Sequence, residues 1–208
     1  MHRSATSAWT RLLALQGAAL PATLIAPAFD NPRGFWESRA IADFNDELLE
    51  SLGADWALPL PRADLIDRAC VDRHLDAAVA LLRQEFDTAP IFALKDPRIC
   101  RMWPLWGRAL EALGVEATFV HPLRHPAEVA ESLAKRNKLQ PSDAHVLWLE
   151  HVLAAERASR GAPRVFVTYE QLLGDWAAAS GRIVEALALP WDGPSPAIRR
   201  EAKQFVSK

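Results

Sequence analysis

The stretch ATFVHPLRHPAEVAESLAKR, residues 117–136, indicates the fold class because it passes directly from a strand into a helix. Residues 117–122 are short and mostly apolar, with β-branched and aromatic side chains, which predicts a buried strand. A helix is predicted from Pro126 to about Arg136, since proline is favoured in the first helical turn. Arg124 then falls at the carboxyl end of the strand, where ligands bind in open α/β sheets.

Strands and helices alternate on both sides of this stretch. Two more strands are predicted, at residues 91–94 (IFAL) and 164–169 (RVFVTY). Helices are predicted between the first Ser/Thr cluster and Gly17, and over about residues 37–52, 65–86, 104–113, 143–159 and 172–187. Residues 31–34 (NPRG) predict a turn, residues 56–62 a proline-rich loop, and the last dozen residues a loosely held end. The pattern predicts an α/β fold with a mostly parallel sheet, in one domain over residues 1–208.

The composition limits the classes of function. Half of the 208 residues are hydrophobic and 24% are charged, which excludes a disordered or collagen-like chain. The formal net charge is -2, so nucleic acid is not predicted as a partner and any anion site must be local. Cys70 and Cys100 form no CxxC pair, which disfavours a disulfide scaffold and indicates a reducing, cytoplasmic location.

Membrane, metal and hydrolase patterns are not found in the sequence. No apolar stretch reaches the length of a membrane span, and the polar segment between Arg3 and Arg11 is unlike a signal peptide. The six histidines show neither HExxH nor a compact Cys/His set, so no metal site is predicted. The Gly-x-Ser-x-Gly pattern of α/β-hydrolases is also missing.

Two polar groups have the residue types of an anion site. The first opens the first helix and comprises Arg3, Ser4, Ala5, Thr6 and Ser7. Hydroxyls and backbone N–H groups at a helix N-terminus attract phosphate, although such a cluster also serves as an ordinary helix cap. The second is Arg124 with Ser132, eight residues further on, which together could hold a phosphate. The alternative for Arg124 is an ion pair with Glu128 or Glu131.

Two further groups have the residue types of a reaction centre. Lys95, in LKDPR, follows a predicted strand, and its neighbours allow either a structural ion-pair cluster or a site for a charged leaving group. Glu37, in GFWESR, lies beside aromatic side chains that would desolvate it and suit it to act as a base. The alternative for Glu37 is a carboxylate in the first turn of a helix, stabilised by the helix dipole.

Taken together, these groups resemble the sulfotransferases that use 3′-phosphoadenosine 5′-phosphosulfate (PAPS), in particular the bacterial and Golgi-type branches. Residues 3–7 resemble the loop that binds the 5′-phosphosulfate, and Arg124 with Ser132 resembles the pair that binds the 3′-phosphate. Lys95 resembles a lysine that neutralises the leaving bridge oxygen, and Glu37 occupies the place of a catalytic glutamate. Residues 165–173 (VFVTYEQLL) also resemble a family segment, so the matches span about residues 1–176.

The resemblance implies a P-loop-like three-layer fold, with helices on both faces of the sheet, and a sulfotransferase-like domain over residues 1–208. Its implied reaction is sulfuryl transfer from PAPS to a hydroxyl acceptor by in-line displacement, without a metal. Glu37 would accept the acceptor's proton, while Lys95 and Arg3 stabilise the transferred group and the leaving phosphate. The acceptor itself stays open among saccharides, lipids, peptides and small metabolites.

This sequence differs from the family pattern in three ways. Ala5 stands where the family has glycine, the sequence begins inside the loop motif that a first strand precedes in the family, and no C-terminal glycine-rich cofactor loop is visible. One alternative is therefore a catalytically impaired nucleotide-binding or interaction domain of the same fold. A P-loop kinase is the other, although the sequence lacks the required Gly-Lys-Ser/Thr.

Overall fold

A computed structural model describes residues 1–57 and 66–206 of the chain. The elements in chain order are α1 (Thr6–Gln16), α2 (Arg39–Ser51), α3 (Arg68–Phe86), α4 (Trp103–Ala112), β1 (Phe119–Leu123), α5 (Pro126–Asn137), α6 (Pro141–Ala158), β2 (Arg164–Thr168), α7 (Tyr169–Ala186) and α8 (Pro196–Ala202). The predicted proline-rich loop at residues 56–62 and the predicted start of the third helix lie largely outside the described residues. None of the helices within the described ranges combines the length and apolarity needed to cross a membrane.

The sheet of the described chain has two parallel strands. β1 and β2 pair in register from Phe119 opposite Arg164 to Leu123 opposite Thr168. The prediction of a strand over residues 91–94 is wrong, since these residues make only a single parallel bridge, between Phe92 and Ala19. Ala19 lies in a short connection between Gly17 and Pro21, and Pro21 has no N–H with which to extend a ladder. The chain is therefore a mixed helix-and-strand protein with a parallel sheet. This sheet has two strands, whereas the sequence predicted three.

Most of the core lies in two clusters. One cluster joins α2, α3 and α4, and its fully buried members include Ile41, Leu82, Met102, Leu105 and Trp106. The other surrounds α1, β2 and α7, and its members include Trp9, Leu12, Val167, Ile183 and Ala202. Val120 of β1 packs against the second cluster and so connects the sheet to α1.

The carboxyl-terminal region is more ordered than its sequence suggests. The prediction of a loosely held end is wrong for residues 197–206, because α8 packs against α1. Ala202 is fully buried, and Arg11 of α1 forms an ion pair with Glu201. The Arg33 guanidinium also donates to the carbonyl oxygen of Phe205 (2.6 Å). The polarity of this segment does not predict contacts with residues that are distant in the sequence.

Side-chain caps determine where several of the helices begin. Ser38, Asp67, Thr168 and Ser195 each accept a hydrogen bond from the backbone three residues later, at the start of α2, α3, α7 and α8. Gly17 ends α1 with φ 127°, as predicted from the sequence. α1 differs at its other end, since its cap residue is Ala5 and no side chain caps it.

Candidate functional site

The first turn of α1 presents backbone N–H groups without a side-chain acceptor. Ala5, the cap residue, has a left-handed backbone with φ 63°, and Arg3 has φ 63° as well. The first hydrogen bond of the helix runs from the Trp9 N–H to the Ala5 carbonyl oxygen (3.2 Å). The N–H groups that precede Trp9 in the first turn have no partner within the helix, and they carry the positive end of the helix dipole. This end of α1 is therefore suited to an anion.

Lys95 connects this helix end to a carboxylate. Its ammonium group donates to Ser7 Oγ (3.2 Å) and to the Phe35 carbonyl oxygen (3.1 Å), and it forms an ion pair with Glu37. The Lys95 and Glu37 side chains are each only 10% exposed. Three parts of the chain that the sequence analysis singled out separately therefore meet at one cation.

Burial affects the pKa values of both partners. Burial raises the pKa of Glu37 above its ordinary value, although the neighbouring Lys95 acts in the opposite direction. Burial likewise lowers the pKa of Lys95, against the effect of Glu37. A carboxylate with a raised pKa in contact with a cleft is a suitable proton acceptor.

The alternative interpretation of Glu37 as a first-turn helix carboxylate is wrong. α2 begins at Arg39 after its cap Ser38, two residues later than the predicted start. Glu37 therefore precedes the helix. Its carboxylate points to Lys95 across the cleft wall. Its backbone carbonyl oxygen accepts from the Ile25 N–H (2.9 Å), which fixes its position against the preceding loop.

The second predicted anion group lies against the first. The Arg3 guanidinium donates through Nε to Ser132 Oγ (2.7 Å), and Arg124 donates to the Arg3 carbonyl oxygen (3.3 Å). The loop of residues 3–7, Lys95 and Arg124 therefore meet at one place. Arg124 also donates through Nε to Glu128 (2.7 Å), so the alternative ion pair is present as well. Ser132 therefore contacts Arg3 in this structure, whereas the sequence predicted that Ser132 and Arg124 together hold a phosphate.

The LKDPR segment divides into a site residue and a structural cluster. Arg98 donates to Asp96 through Nε (2.9 Å) and Nη2 (2.7 Å), and the Asn45 amide donates to the same carboxylate (2.9 Å). Asn45 in turn accepts from the Trp106 indole N–H (3.0 Å). Burial alone would raise the pKa of Asp96, but the hydrogen bonds from Arg98 hold it below its ordinary value. The cluster fixes the backbone immediately after Lys95.

These groups line a cleft of about 280 Å³. Among the described residues its basic side chains outnumber its acidic ones, although the whole chain carries a formal net charge of -2. The basic residues are Arg3, Arg33, Lys95, Arg124 and Arg136, and the acidic residue is Glu37. This balance of charge suits the cleft to an anion.

The predicted loop residues contribute unequally to this cleft. Arg3, Ala5, Thr6 and Ser7 line it, whereas Ser4 is 1% exposed and is outside its lining. The Thr6 carbonyl oxygen accepts from the Thr10 hydroxyl (2.9 Å) within α1.

Sequence reasoning missed three aromatic or basic residues of the cleft. The Arg124 guanidinium carbon lies 4.2 Å from the centroid of the Tyr169 ring. Arg136 forms an ion pair with Asp30 (2.5 Å). Phe205 reaches the cleft from the segment after α8. A signal for Tyr169 existed, because it is the one tyrosine of the chain and it stands at the carboxyl end of a predicted strand.

Comparison of the chain with protein-family models, with curated protein sequences and with solved structures finds no match. The comparisons therefore assign the chain to no family.

Proposed function

We propose that the protein transfers a sulfuryl group from PAPS to a hydroxyl acceptor. The observation that carries the proposal is the placement of Lys95, a buried cation that contacts Ser7 at the open end of α1 and the Glu37 carboxylate. In-line transfer to a hydroxyl is assisted by groups that position the donor, neutralise the leaving oxygen and accept the proton, and these residues would supply all three. The proposal includes the P-loop-like three-layer fold that this arrangement resembles.

The donor would occupy the cleft with its two charged ends on different residues. The 5′-phosphosulfate would lie at the N–H groups of the first turn of α1, with Arg3 and Lys95 beside it. The 3′-phosphate would lie at Arg124, with Ser132 able to exchange its contact with Arg3 for a phosphate oxygen. Tyr169, under the Arg124 guanidinium, would hold that side chain in place.

The existing contacts in the cleft are compatible with this occupant. The side chains of Arg124 and Glu128 are 22% and 46% exposed, and ion pairs so accessible to water contribute at most about 1 kcal/mol. A phosphate can therefore replace Glu128 with little loss, since charge-assisted bonds to phosphate are worth roughly 1.5–3 kcal/mol. The phosphosulfate would have less space beside Ala5, because the Ala5 Cβ lies at the loop position that the family gives to glycine.

The reaction balances with the residues present. The acceptor oxygen would form a bond to sulfur as the bond between sulfur and the bridging oxygen of the 5′-phosphate breaks. Glu37 would accept the hydroxyl proton, and Lys95 would neutralise the negative charge that develops on the bridging oxygen. The products are a sulfate ester and 3′-phosphoadenosine 5′-phosphate (PAP).

A non-catalytic nucleotide-binding domain is the second candidate, and one observation favours it. Glu37 is held on Lys95 in this structure, so each group neutralises the other where catalysis needs both. A purely structural ion pair of this kind would leave the anion site intact but would not support turnover. Binding and turnover must therefore be measured separately.

Binding of PAP tests both candidates against an unrelated function. We expect calorimetry to show binding of PAP that exceeds binding of AMP, because AMP lacks the 3′-phosphate. Arg124→Ala should weaken PAP binding by about 10- to 100-fold and leave AMP binding nearly unchanged. Arg160→Ala is the matched control, since Arg160 forms an exposed ion pair with Glu156 on α6. Equal affinity for PAP and AMP in the unmodified protein would contradict the assignment.

A further inference from the structure

The outer face of α6 carries an exposed apolar stripe. Val146, Leu149 and Leu153 are spaced three and four residues apart, which places them on one face of the helix. Their side chains are large and apolar, yet the residues are 47%, 50% and 44% exposed. The stripe ends at Glu156, which forms an ion pair with Arg160.

The opposite face of α6 is already packed against the rest of the chain. Ala144, Leu147 and His151 are fully buried. Ala144 packs with Val129 and Leu133 of α5. A helix on the surface of a protein usually has polar residues on the side away from the core, whereas apolar residues on both sides are typical of a helix that is covered on both. The stripe therefore indicates a second packing partner for α6.

Opposite charges lie at the two ends of the stripe. Asp143 is in the first turn of α6 and Arg157 is in the last turn. They stand seven residues before and seven residues after Glu150, so all three share one edge of the stripe. A second α6 running in the opposite direction would therefore bring Asp143 of each copy to Arg157 of the other. A second α6 running in the same direction would bring like charges together.

Glu150 lies at the centre of the antiparallel arrangement, where two carboxylates would approach each other. In this structure Glu150 interacts with Arg101. Burial lowers the pKa of Arg101, and Glu150 acts in the opposite direction. The positive charge of Arg101 offsets part of the negative charge at the centre. Beside it, Leu149 of each copy would pack against Leu153 of the other.

We propose that α6 is a self-association surface, and that the stripe is covered by α6 of a second copy of this chain in antiparallel orientation. Such a contact uses the same surface on both copies, so it closes as a dimer and does not extend into a fibre. The lining of the cleft, within the described residues, includes no residue of α6. The dimer therefore leaves the cleft open, and it is independent of the reaction proposed above.

The length of the helix limits the strength of this dimer. α6 has 18 residues and is about 27 Å long. A single pair of helices of this length buries less than the total of about 1,200 Å² that is typical of stable interfaces. We therefore expect a weak dimer whose population depends on the protein concentration.

Sedimentation equilibrium between about 1 and about 300 µM tests the proposal, with an expected Kd on the order of 10–100 µM. Leu149→Glu should raise this Kd at least about tenfold, because it places a charge against Leu153 of the other copy. Leu24→Glu is the matched control, since Leu24 is a leucine of similar exposure outside α6, and it should leave the Kd unchanged. Circular dichroism verifies that both variants are folded.

Two charge reversals test the antiparallel orientation. Asp143→Arg and Arg157→Asp each bring like charges together in their own dimers, so each should raise the Kd by about 3- to 10-fold. In an equimolar mixture of the two variants both contacts again join opposite charges, and a heterodimer about as strong as the original dimer should form.

Three results would overturn the proposal. The first is a protein that stays monomeric at about 300 µM, whether or not it binds phosphatidylcholine vesicles through the same stripe. The second is a dimer that Leu149→Glu leaves intact or that Leu24→Glu weakens equally. The third is a pair of charge-reversed variants that the mixture does not rescue.

Discussion

Lys95 and Glu37 form an ion pair that the surrounding protein largely shields from water, with each side chain 10% exposed. Removing two charges from water is costly, and a buried pair is often no more stabilising than two apolar residues of the same size. The free energy of unfolding therefore does not explain well why a buried ion pair lines the cleft. A functional use of the charges is a better explanation, and the pair is the most direct place to test it.

Glu37→Gln tests the base. If Glu37 accepts the acceptor's proton, turnover of PAPS with a hydroxyl acceptor should fall roughly a hundredfold or more, because the role exists only in the transition state. PAP affinity should not fall, since the substitution removes a negative charge from the anion site. Acceptor-dependent release of PAP and calorimetry measure the two quantities.

The matched control for this variant is Glu47→Gln, an exposed carboxylate on α2. It should change neither turnover nor PAP affinity. Full acceptor-dependent activity in Glu37→Gln would exclude the base role, whereas binding of PAP without any turnover in the unmodified protein would support the non-catalytic candidate.

Ala5→Gly tests the backbone of the loop. Ala5 adopts φ 63°, where a Cβ costs about 1 kcal/mol relative to glycine, so the variant should be more stable by roughly that amount. Glycine would also remove the Cβ that lines the cleft, so PAP should bind at least as tightly as before. Urea unfolding and calorimetry give both values.

Ala8→Gly serves as the control, because Ala8 lies inside α1, where glycine should cost about 1 kcal/mol. A loss of stability in Ala5→Gly similar to that in Ala8→Gly would show that the left-handed backbone of Ala5 carries no strain.

Among the secondary-structure elements, sequence reasoning succeeded where the deciding signals are local. Pro126 and the apolar run before it fixed the passage from β1 to α5 to within a residue or two. It failed at residues 91–94, where the apolar run is present but strand formation depends on a partner, and the partner is Ala19 alone. It failed again at α8, whose polar sequence conceals one buried contact, Ala202.

The candidate site followed the same division. The carboxyl ends of parallel segments meet at one edge, so the convergence of Arg3, Lys95 and Arg124 could be predicted from the order of elements. Which side chain bonds to which could not, because Ser132 reaches Arg3 only through the packing of α5 against the loop. Nor did the sequence show that Asp96 and Arg98 would bond to each other and leave Lys95 to the cleft.

Thr168→Ala tests the join between β2 and α7. Gln171 donates its N–H to the Thr168 hydroxyl (3.2 Å), while the Thr168 N–H donates to the Gln171 side chain (2.9 Å). Removing the hydroxyl should reduce the free energy of unfolding by about 1 kcal/mol, and Thr168→Ser should restore most of it. Ser142→Ala, an exposed position on α6, should change it by less than about 0.5 kcal/mol in the same urea titration. A Thr168→Ala protein as stable as the Ser142→Ala control would show that the capping box does not stabilise α7.

At the scale of the whole molecule, two buried histidines couple folding to pH. Burial lowers the pKa of His121 to about 4, with Arg164 acting in the same direction. Burial also lowers the pKa of His151 to about 3, and the nearby chain amino group adds to the effect. His151 donates through Nδ1 to the Leu147 carbonyl oxygen (2.8 Å), so its Nε2 is the atom that a proton would charge in the interior. Both side chains are therefore neutral in the folded protein at neutral pH.

The sign of the pH effect follows from these values. Above about pH 6.5 the histidines are neutral in both states and stability does not depend on them. As the pH falls from 6.5 towards 4, the unfolded chain binds protons that the folded chain excludes, so the free energy of unfolding decreases. For His151 alone the decrease at pH 5 is on the order of 2 kcal/mol.

His151→Leu should flatten this dependence. The Leu147 carbonyl oxygen keeps its place in α6, and leucine fills a similar volume without a titrating group. The raised pKa of Glu37 acts in the opposite direction, because stability from that group is lost as the pH rises, but it is common to both proteins and cancels in the difference. Urea unfolding at pH 7.5 and pH 5 should therefore show a smaller loss for the variant, by on the order of 2 kcal/mol. Parallel losses in the two proteins would mean that His151 is not held neutral by its surroundings, and that its ring gains access to water before the chain unfolds.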